Sequence, residues 1–392
     1  MNKFIPFCFC GFLLCVGICD AQKSNQLDNN IGIGKIDTFH SKLLNEERKL
    51  WVYVPTVSEF NPKHNYPAVY LLDGDDHFLS VMTMIQQLSE IQRNTILPQM
   101  VLIGIQNTDR ERDFGGKLFT SFIEKELIPH IDSLYSTSQY RILIGHSLGG
   151  LFTIETFINH TQLFKSYISI DPSINQEVLK QADKVLKEKD FTDNSLYLAI
   201  ANSPAVFFED TSANNRYRAM LRLTDYIEAN KKNNLNFSWK FYKDDDHASV
   251  PFIAEYDGLR FIFSFYKFPD IDKLLSASKP DSIVNINYQN MSGILGYKIL
   301  PPEGNLLGLG YVFLEKKLFD KSYATFKMLI DNYPPNFMFY NAMGDLFRSK
   351  GDSLKAVEYY EKTLSLNPQD GMARDNIKRI KDSFKDKNKF QK

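Results

Sequence analysis

Between about residue 31 and residue 268, short apolar runs alternate with amphipathic stretches. Residues 49–54 read as an early strand. Runs at 68–72, 100–105, 142–144, 167–170, 196–201 and 237–242 read as further strands, most of them closed by Gly, Asp or Asn. Consecutive apolar positions, rather than alternating ones, are expected of strands covered on both faces, as in a parallel sheet. Helical spacing fills the intervals, for example at 119–134 and 151–159. This pattern predicts an α/β fold, a mostly parallel central sheet sandwiched by crossover helices. Ligand sites in such sheets lie beyond the carboxyl ends of the strands.

After residue 268 the strand signal stops. Residues 269–302 read as a connector with one helix, and a self-similarity at 34 positions follows. Leu306, Leu309, Gly310, Phe313, Ser322, Phe326, Leu329 and Pro334 are echoed by Tyr340, Met343, Gly344, Phe347, Ala356, Tyr360, Thr363 and Pro368. That period, with its small, aromatic and proline positions, resembles tetratricopeptide repeats. Two helical hairpins at 303–336 and 337–370, with a capping helix over 371–385, make a small all-α domain. Two repeats are short for independent stability, so they are expected to dock on the larger domain or on a second copy, or to hold a protein partner, and to roof the active site.

Composition sets the cellular context. The chain has 392 residues, 43% of them hydrophobic, and a formal charge of -1. A near-neutral chain without a clustered basic face is a poor nucleic-acid binder. Residues 1–21 read as a signal peptide: Lys3 is the basic start, 4–19 an apolar stretch too short to span a bilayer comfortably, and Cys19-Asp20-Ala21 an imperfect small-residue cleavage site. All four cysteines (Cys8, Cys10, Cys15 and Cys19) fall within it. An exported chain, periplasmic or secreted, would then carry no thiol, no disulfide and no membrane span. The rival is a lipoprotein anchored through Cys19, which Ile18 disfavours.

Chemistry concentrates in Gly145-His146-Ser147-Leu148-Gly149, a G-x-S-x-G sequence between an apolar strand and an amphipathic helix. That is the setting in which the motif holds a nucleophilic serine out above the sheet. The alternative for Ser147 is an ordinary helix cap. A base is expected after the last strand, where His247 follows Asp244-Asp245-Asp246; consecutive aspartates do not easily turn inward together, so a metal site is not expected there. His146, beside the serine, is expected to point elsewhere. The acid stays open: Asp210 is favoured after the strand at 196–201, then Glu209, then Asp171 after the preceding strand, or no acid and a Ser–His dyad. The backbone amides of Leu148 and Asp75 are the candidate oxyanion donors. Arg110 and Arg112 are expected to pair with local acids, Asp109, Glu111 and Asp113. No H-E-x-x-H, no G-x-x-x-x-G-K-[ST] and no dinucleotide fingerprint occur, so neither metal nor cofactor is called for.

Tyr66-Pro67-Ala68-Val69-Tyr70-Leu71-Leu72-Asp73-Gly74, Gly104-Ile105-Gln106-Asn107-Thr108-Asp109-Arg110, Gly145-His146-Ser147-Leu148-Gly149-Gly150 and His247-Ala248-Ser249-Val250-Pro251, in that order, resemble the putative-esterase group of α/β hydrolases. The group includes siderophore trilactone esterases, feruloyl and acetyl-xylan esterases, and esterase D. The resemblance spans about residues 35–268. It implies a serine nucleophile at Ser147, a histidine base at His247 and a small carboxylic ester as substrate. The usual Glu soon after the seventh strand is replaced by Asn202-Ser203-Pro204. An enzyme is thus expected; the competing expectation is an inactive hydrolase-fold scaffold that binds a partner through its repeats.

Overall fold

Eight strands assemble into one sheet in the order β1-β2-β4-β3-β5-β6-β7-β8. They are β1 (Lys35–Ser41), β2 (Glu46–Tyr53), β3 (Tyr66–Leu71), β4 (Val101–Ile105), β5 (Thr137–His146), β6 (Ser166–Ile170), β7 (Ser195–Ala201) and β8 (Asn236–Tyr242). The computed structural model describes residues 33–55, 65–89, 96–202, 211–333 and 335–389. The segment read as a signal peptide, with its cysteines, lies outside them. β1 and β2 pair antiparallel, as do β2 and β4; every other pairing is parallel.

Most of the apolar runs behave as expected, but the run at 237–242 forms the edge strand β8, most of which is not buried. β3, β4 and β6 are buried at every position. Alternate residues feed two cores: Ala68, Tyr70, Ile103 and Leu143 face one side, with Phe152 and Phe157 of α5 (Leu148–Asn159). Val69, Leu71, Ile142 and Ile144 face the other, under α1 (Gly74–Ser89) and α8 (Val250–Ile262). Two elements escaped the hydrophobic pattern. β1 is an edge strand, mostly exposed, with no apolar run to betray it. β5 begins five residues before the run at 142–144, in polar positions the hydrophobic pattern does not mark; there Arg141 donates to Asp132 at 2.7 Å and the buried Ser138 hydroxyl accepts the Tyr140 amide.

The segment 119–134 is helical but not regular. α3 (Lys117–Phe122) passes through a π turn (Ile123–Leu127) into α4 (Ile128–Leu134), just before Pro129, whose ring cannot sit in an unperturbed α ladder. It is preceded by α2 (Arg110–Gly115); α6 (Gln176–Glu188) and α7 (Thr211–Ala229) complete the first face.

Residues 269–302 hold two helices rather than the one expected. Asp270 caps α9 (Ile271–Ser276) through the Lys273 amide, and Pro280 opens α10 (Pro280–Leu295). Then come α11 (Glu303–Glu315), α12 (Phe319–Asn332), α13 (Phe337–Ser349), α14 (Ser353–Leu366) and α15 (Gly371–Lys389). The 34-residue offset has a packing cause. Gly310 lies against the Phe326 ring and Gly344 against Tyr360, so a β-carbon would sit 2.2 Å and 2.5 Å from those rings. Each hairpin closes because its first helix offers a glycine where the second offers an aromatic ring.

The helical region is anchored at the amino ends of the strands. Leu295 of α10 enters the core beneath α8, Gly296 faces Ser138, and Phe265, Tyr266 and Phe268 pack into the helical core. α10 itself ends beside Ser138, near the start of β5, whose other end leads into Ser147.

Candidate active site

The carboxyl ends of β3, β5 and β6 share one local feature. Each strand is followed closely by a residue with positive φ: Asp73 at 51°, Ser147 at 59° and Asp171 at 40°. Non-glycine residues rarely adopt this region, and three in one row mark an edge where the chain is forced to turn sharply. At Ser147 the turn is held by main-chain bonds: its N–H donates to the Ile170 carbonyl at 2.9 Å, and its own carbonyl accepts from Leu151 and Ser173. Gly145 is needed because a β-carbon there would lie 2.3 Å from the Gly149 oxygen. The result is a serine at the start of α5, whose first amides, Leu148 among them, have no intrahelical acceptor and carry the positive end of the helix dipole.

Ser147 and His247, one hundred positions apart, meet: His247 Nε2 lies 3.0 Å from Ser147 Oγ. His247 Nδ1 lies 2.5 Å from Asp171 Oδ2. A carboxylate can only accept, so Nδ1 carries the proton and Nε2 is left to accept from the serine hydroxyl. Asp171 is 2% exposed and its second oxygen accepts the Ala201 amide at 3.0 Å. Asp210 and Glu209 lie outside the described residues; the carboxylate bonded to His247 is Asp171, after β6.

The acidic run before His247 builds its loop. Asp246 Oδ1 accepts from the Ala248 and Ser249 amides, each at 2.9 Å, and these bonds hold its carboxyl below the usual range. Ser249 Oγ donates to Asp245. Asn202, at the end of β7, donates from its main chain to the Asp245 carbonyl and from its side chain to that of Lys243. Among the described residues, no group of three or more His, Cys, Asp or Glu side chains converges as a metal ligand set.

Asp75 stands exposed in the first turn of α1, beyond β3, the parallel neighbour of β5. The Asp73 carbonyl caps this helix by accepting the Asp76 and His77 amides. The Asp73 side chain binds Arg110 through both oxygens, at 2.7 and 3.0 Å, and Arg110 also donates to the His146 carbonyl. Arg110 was expected to find its partner among neighbouring acids; its partner is Asp73, brought in by the β3–β4 pairing. Arg112 does use Asp113, together with Glu46, whose carboxyl falls to about 2 as the hydrogen bonds of Arg112, Thr108 and Arg48 overcome its desolvation.

His146 does not point away from the site. Its ring packs 4.5 Å from that of His247, centroid to centroid. Burial, then the neighbouring His247 and His77, push it down to about 4. His77 and Glu255 join it from α1 and α8. Sequence reasoning missed His77 and Glu255, because nothing local distinguishes them from surface or core residues, and it set His146 aside as pointing elsewhere.

An eight-stranded, mostly parallel sheet with a serine at a strand–turn–helix elbow defines the α/β-hydrolase class. Residues 41–248, more than half of the chain, match the model of the family described as "Putative esterase", and the chain belongs to that family. It is 32% identical over 161 residues to the uncharacterized protein YjcH of Bacillus subtilis, and 27% identical over 172 residues to that organism's ferri-bacillibactin esterase BesA. Those stretches are 38% and 36% of this chain and 66% and 60% of the two relatives. Among solved structures, an IroE-like serine hydrolase from Shewanella oneidensis superposes with a TM-score of 0.61 at 28% identity, over 76% of this chain and 99% of that one. An uncharacterised protein from Capnocytophaga ochracea shares the fold over 88% of this chain and 99% of its own, with a TM-score of 0.69 at 15% identity.

Proposed function

We propose that this chain is a serine esterase that cleaves a carboxylic ester through an acyl-enzyme. The observation that carries the reading is the continuous hydrogen-bond chain Ser147–His247–Asp171 at a strained elbow. Ser147 Oγ attacks the carbonyl carbon while His247 Nε2 takes its proton. Asp171 holds the tautomer and stabilises the imidazolium. The amides of Leu148 and Asp75 receive the oxyanion. His247 then protonates the leaving alkoxide, and water, deprotonated by the same nitrogen, releases the acid.

The ferri-bacillibactin esterase and IroE-like relatives support a siderophore ester as substrate; an acyl-sugar ester is the other member of the class. The apolar stretch at 4–19 supports export of the mature chain. The helical hairpins fit tetratricopeptide repeats loosely and are the part of the chain suited to holding a protein partner or a second copy.

The test is hydrolysis of short-chain aryl esters by purified protein beginning at Gln22. Ser147→Ala is expected to lose roughly 10³-fold or more in kcat, and a fluorophosphonate should label Ser147 alone. Equal rates for the two proteins would refute the reading. Ferric siderophores and acylated sugars, tried side by side, separate the two substrate classes.

A further inference from the structure

Behind the His247 imidazole lies a row of polar side chains that the acyl-transfer reading leaves without a task. The His146 ring packs against His247 at 4.5 Å with the planes inclined by 41°. The His77 ring meets His146 edge-on at 5.8 Å and 75°. His77 Nδ1 lies 3.1 Å from Glu255 Oε1, and Glu255 Oε2 accepts the Ser80 hydroxyl at 2.9 Å. Glu255 is 1% exposed. The row therefore runs Glu255, His77, His146, His247, Asp171, with a buried carboxylate at each end.

Its placement is informative. His77 sits in the first turn of α1, whose opening residues include the candidate oxyanion donor Asp75. Glu255 sits on α8, which begins three residues after His247. The pair thus ties the helix that starts at the oxyanion loop to the helix that leaves the base loop. A carboxylate this deeply buried needs a cation, and His77 is the imidazole in reach of it. Burial opposes the charge on His77, but the hydrogen bond and charge of Glu255, with Asp73 and Asp76 from its own end of α1, raise it above its ordinary value. His146 faces two other imidazoles. His247 and His77 oppose a charge on it, while Asp171 and a hydrogen bond to the His247 main chain favour one, and burial outweighs all of them. Its Nε2 is buried with no hydrogen-bond partner among the described residues, which suits packing and not proton transfer.

We propose that Glu255, His77 and His146 are positioning residues for the general base: the Glu255–His77 ion pair clamps α1 to α8, and His146 is a flat, uncharged backing that keeps the His247 ring turned toward Ser147. The proposal rests on the esterase reading for its consequence, though not for its structure. His247 sits on a loop with its side chain one-third exposed; among the described residues its ring is held by two hydrogen bonds, to Ser147 and Asp171, and by this backing.

Two measurements test it. In the ester assay, His146→Ala removes the backing and His146→Phe keeps a flat, uncharged ring. Ala should lower kcat roughly 10- to 100-fold with KM within about twofold, as expected for a small misplacement of a reacting group, and Phe should restore most of the loss. Ala at the wild-type rate, or Phe no better than Ala while equally well folded, overturns the proposal. The second measurement needs neither activity nor a stable variant of the clamp: nitrogen-15 spectra of histidine-labelled wild-type protein. At about pH 7, His77 should appear as an imidazolium and His146 as a neutral ring. A neutral His77, or a charged His146, overturns the clamp. If Ser147→Ala hydrolyses esters as fast as wild type, the esterase reading fails while these spectra still judge the clamp.

Discussion

Replacing Asp171 with asparagine alters one atom of a buried hydrogen bond and tests the role given to that residue. The substitution suits the site sterically. Asn tolerates positive φ as Asp does, so the 40° at this position is no obstacle. The Oδ1 bond to the Ala201 amide can be kept by the carboxamide oxygen. What changes is the group facing His247 Nδ1 at 2.5 Å. An amide –NH₂ there donates, so Nδ1 must accept and the proton moves to Nε2, where it points at Ser147 Oγ and blocks the removal of the serine proton. With the geometry intact and the tautomer wrong, kcat should fall about 10⁴-fold, or about 5 kcal/mol of transition-state stabilisation. The assay is steady-state hydrolysis of an aryl ester near neutral pH, with chemical denaturation run in parallel to show that stability moves by less than about 1 kcal/mol. An Asp171→Asn protein that keeps kcat within about tenfold of wild type, while Ser147→Ala is inactive, would refute the assignment of the acid.

Other consequences are open to the same methods. Ser147→Gly relieves the strain of a 59° φ, a conformation costing on the order of 1–3 kcal/mol, and should make the inactive protein more resistant to urea, the gain cut by the greater unfolded-state entropy of glycine. Gly310→Ala and Gly344→Ala each push a methyl into a facing ring and should destabilise the helical region by about 1–3 kcal/mol, read by thermal unfolding, with kcat unchanged. His146 is depressed to about 4 in the folded chain from 6.5, so the unfolded chain binds its proton first as the pH drops. Its stabilisation is complete above about 6.5 and lost on the way down to about 4, a loss of about 3 kcal/mol that His146→Phe should lack in urea titrations at the two ends of that range.

Much of this protein is local, and local features are legible in a sequence. The Ser147 elbow needs five consecutive residues between a strand and a helix, and a backbone too crowded for a β-carbon at Gly145 has to be written with glycine. The paired helices at 303–366 repeat because a glycine and an aromatic ring must meet within each hairpin, which fixes both at one period. Continuous apolar runs made β3, β4 and β6, covered on both faces, plain; the edge strand β8 was still read from the run at 237–242 although it is mostly exposed, whereas the exposed and more polar β1 was not read.

What the sequence left open was set by distances that close only on folding. Chain order alone allows the acid to follow either β6 or β7, adjacent strands whose ends lie side by side. Asp171 is bonded to His247 because its turn after β6 aims the carboxylate at the base loop, while Asn202 after β7 is bonded to the loop's main chain. Arg110 found Asp73 through the β3–β4 pairing, not through its neighbours. His77, His146 and Glu255 converge from α1, β5 and α8, and no spacing along the chain encodes that meeting. A motif fixed by backbone geometry can be read in one dimension; a contact between side chains from separate elements exists only once the sheet has brought their ends together.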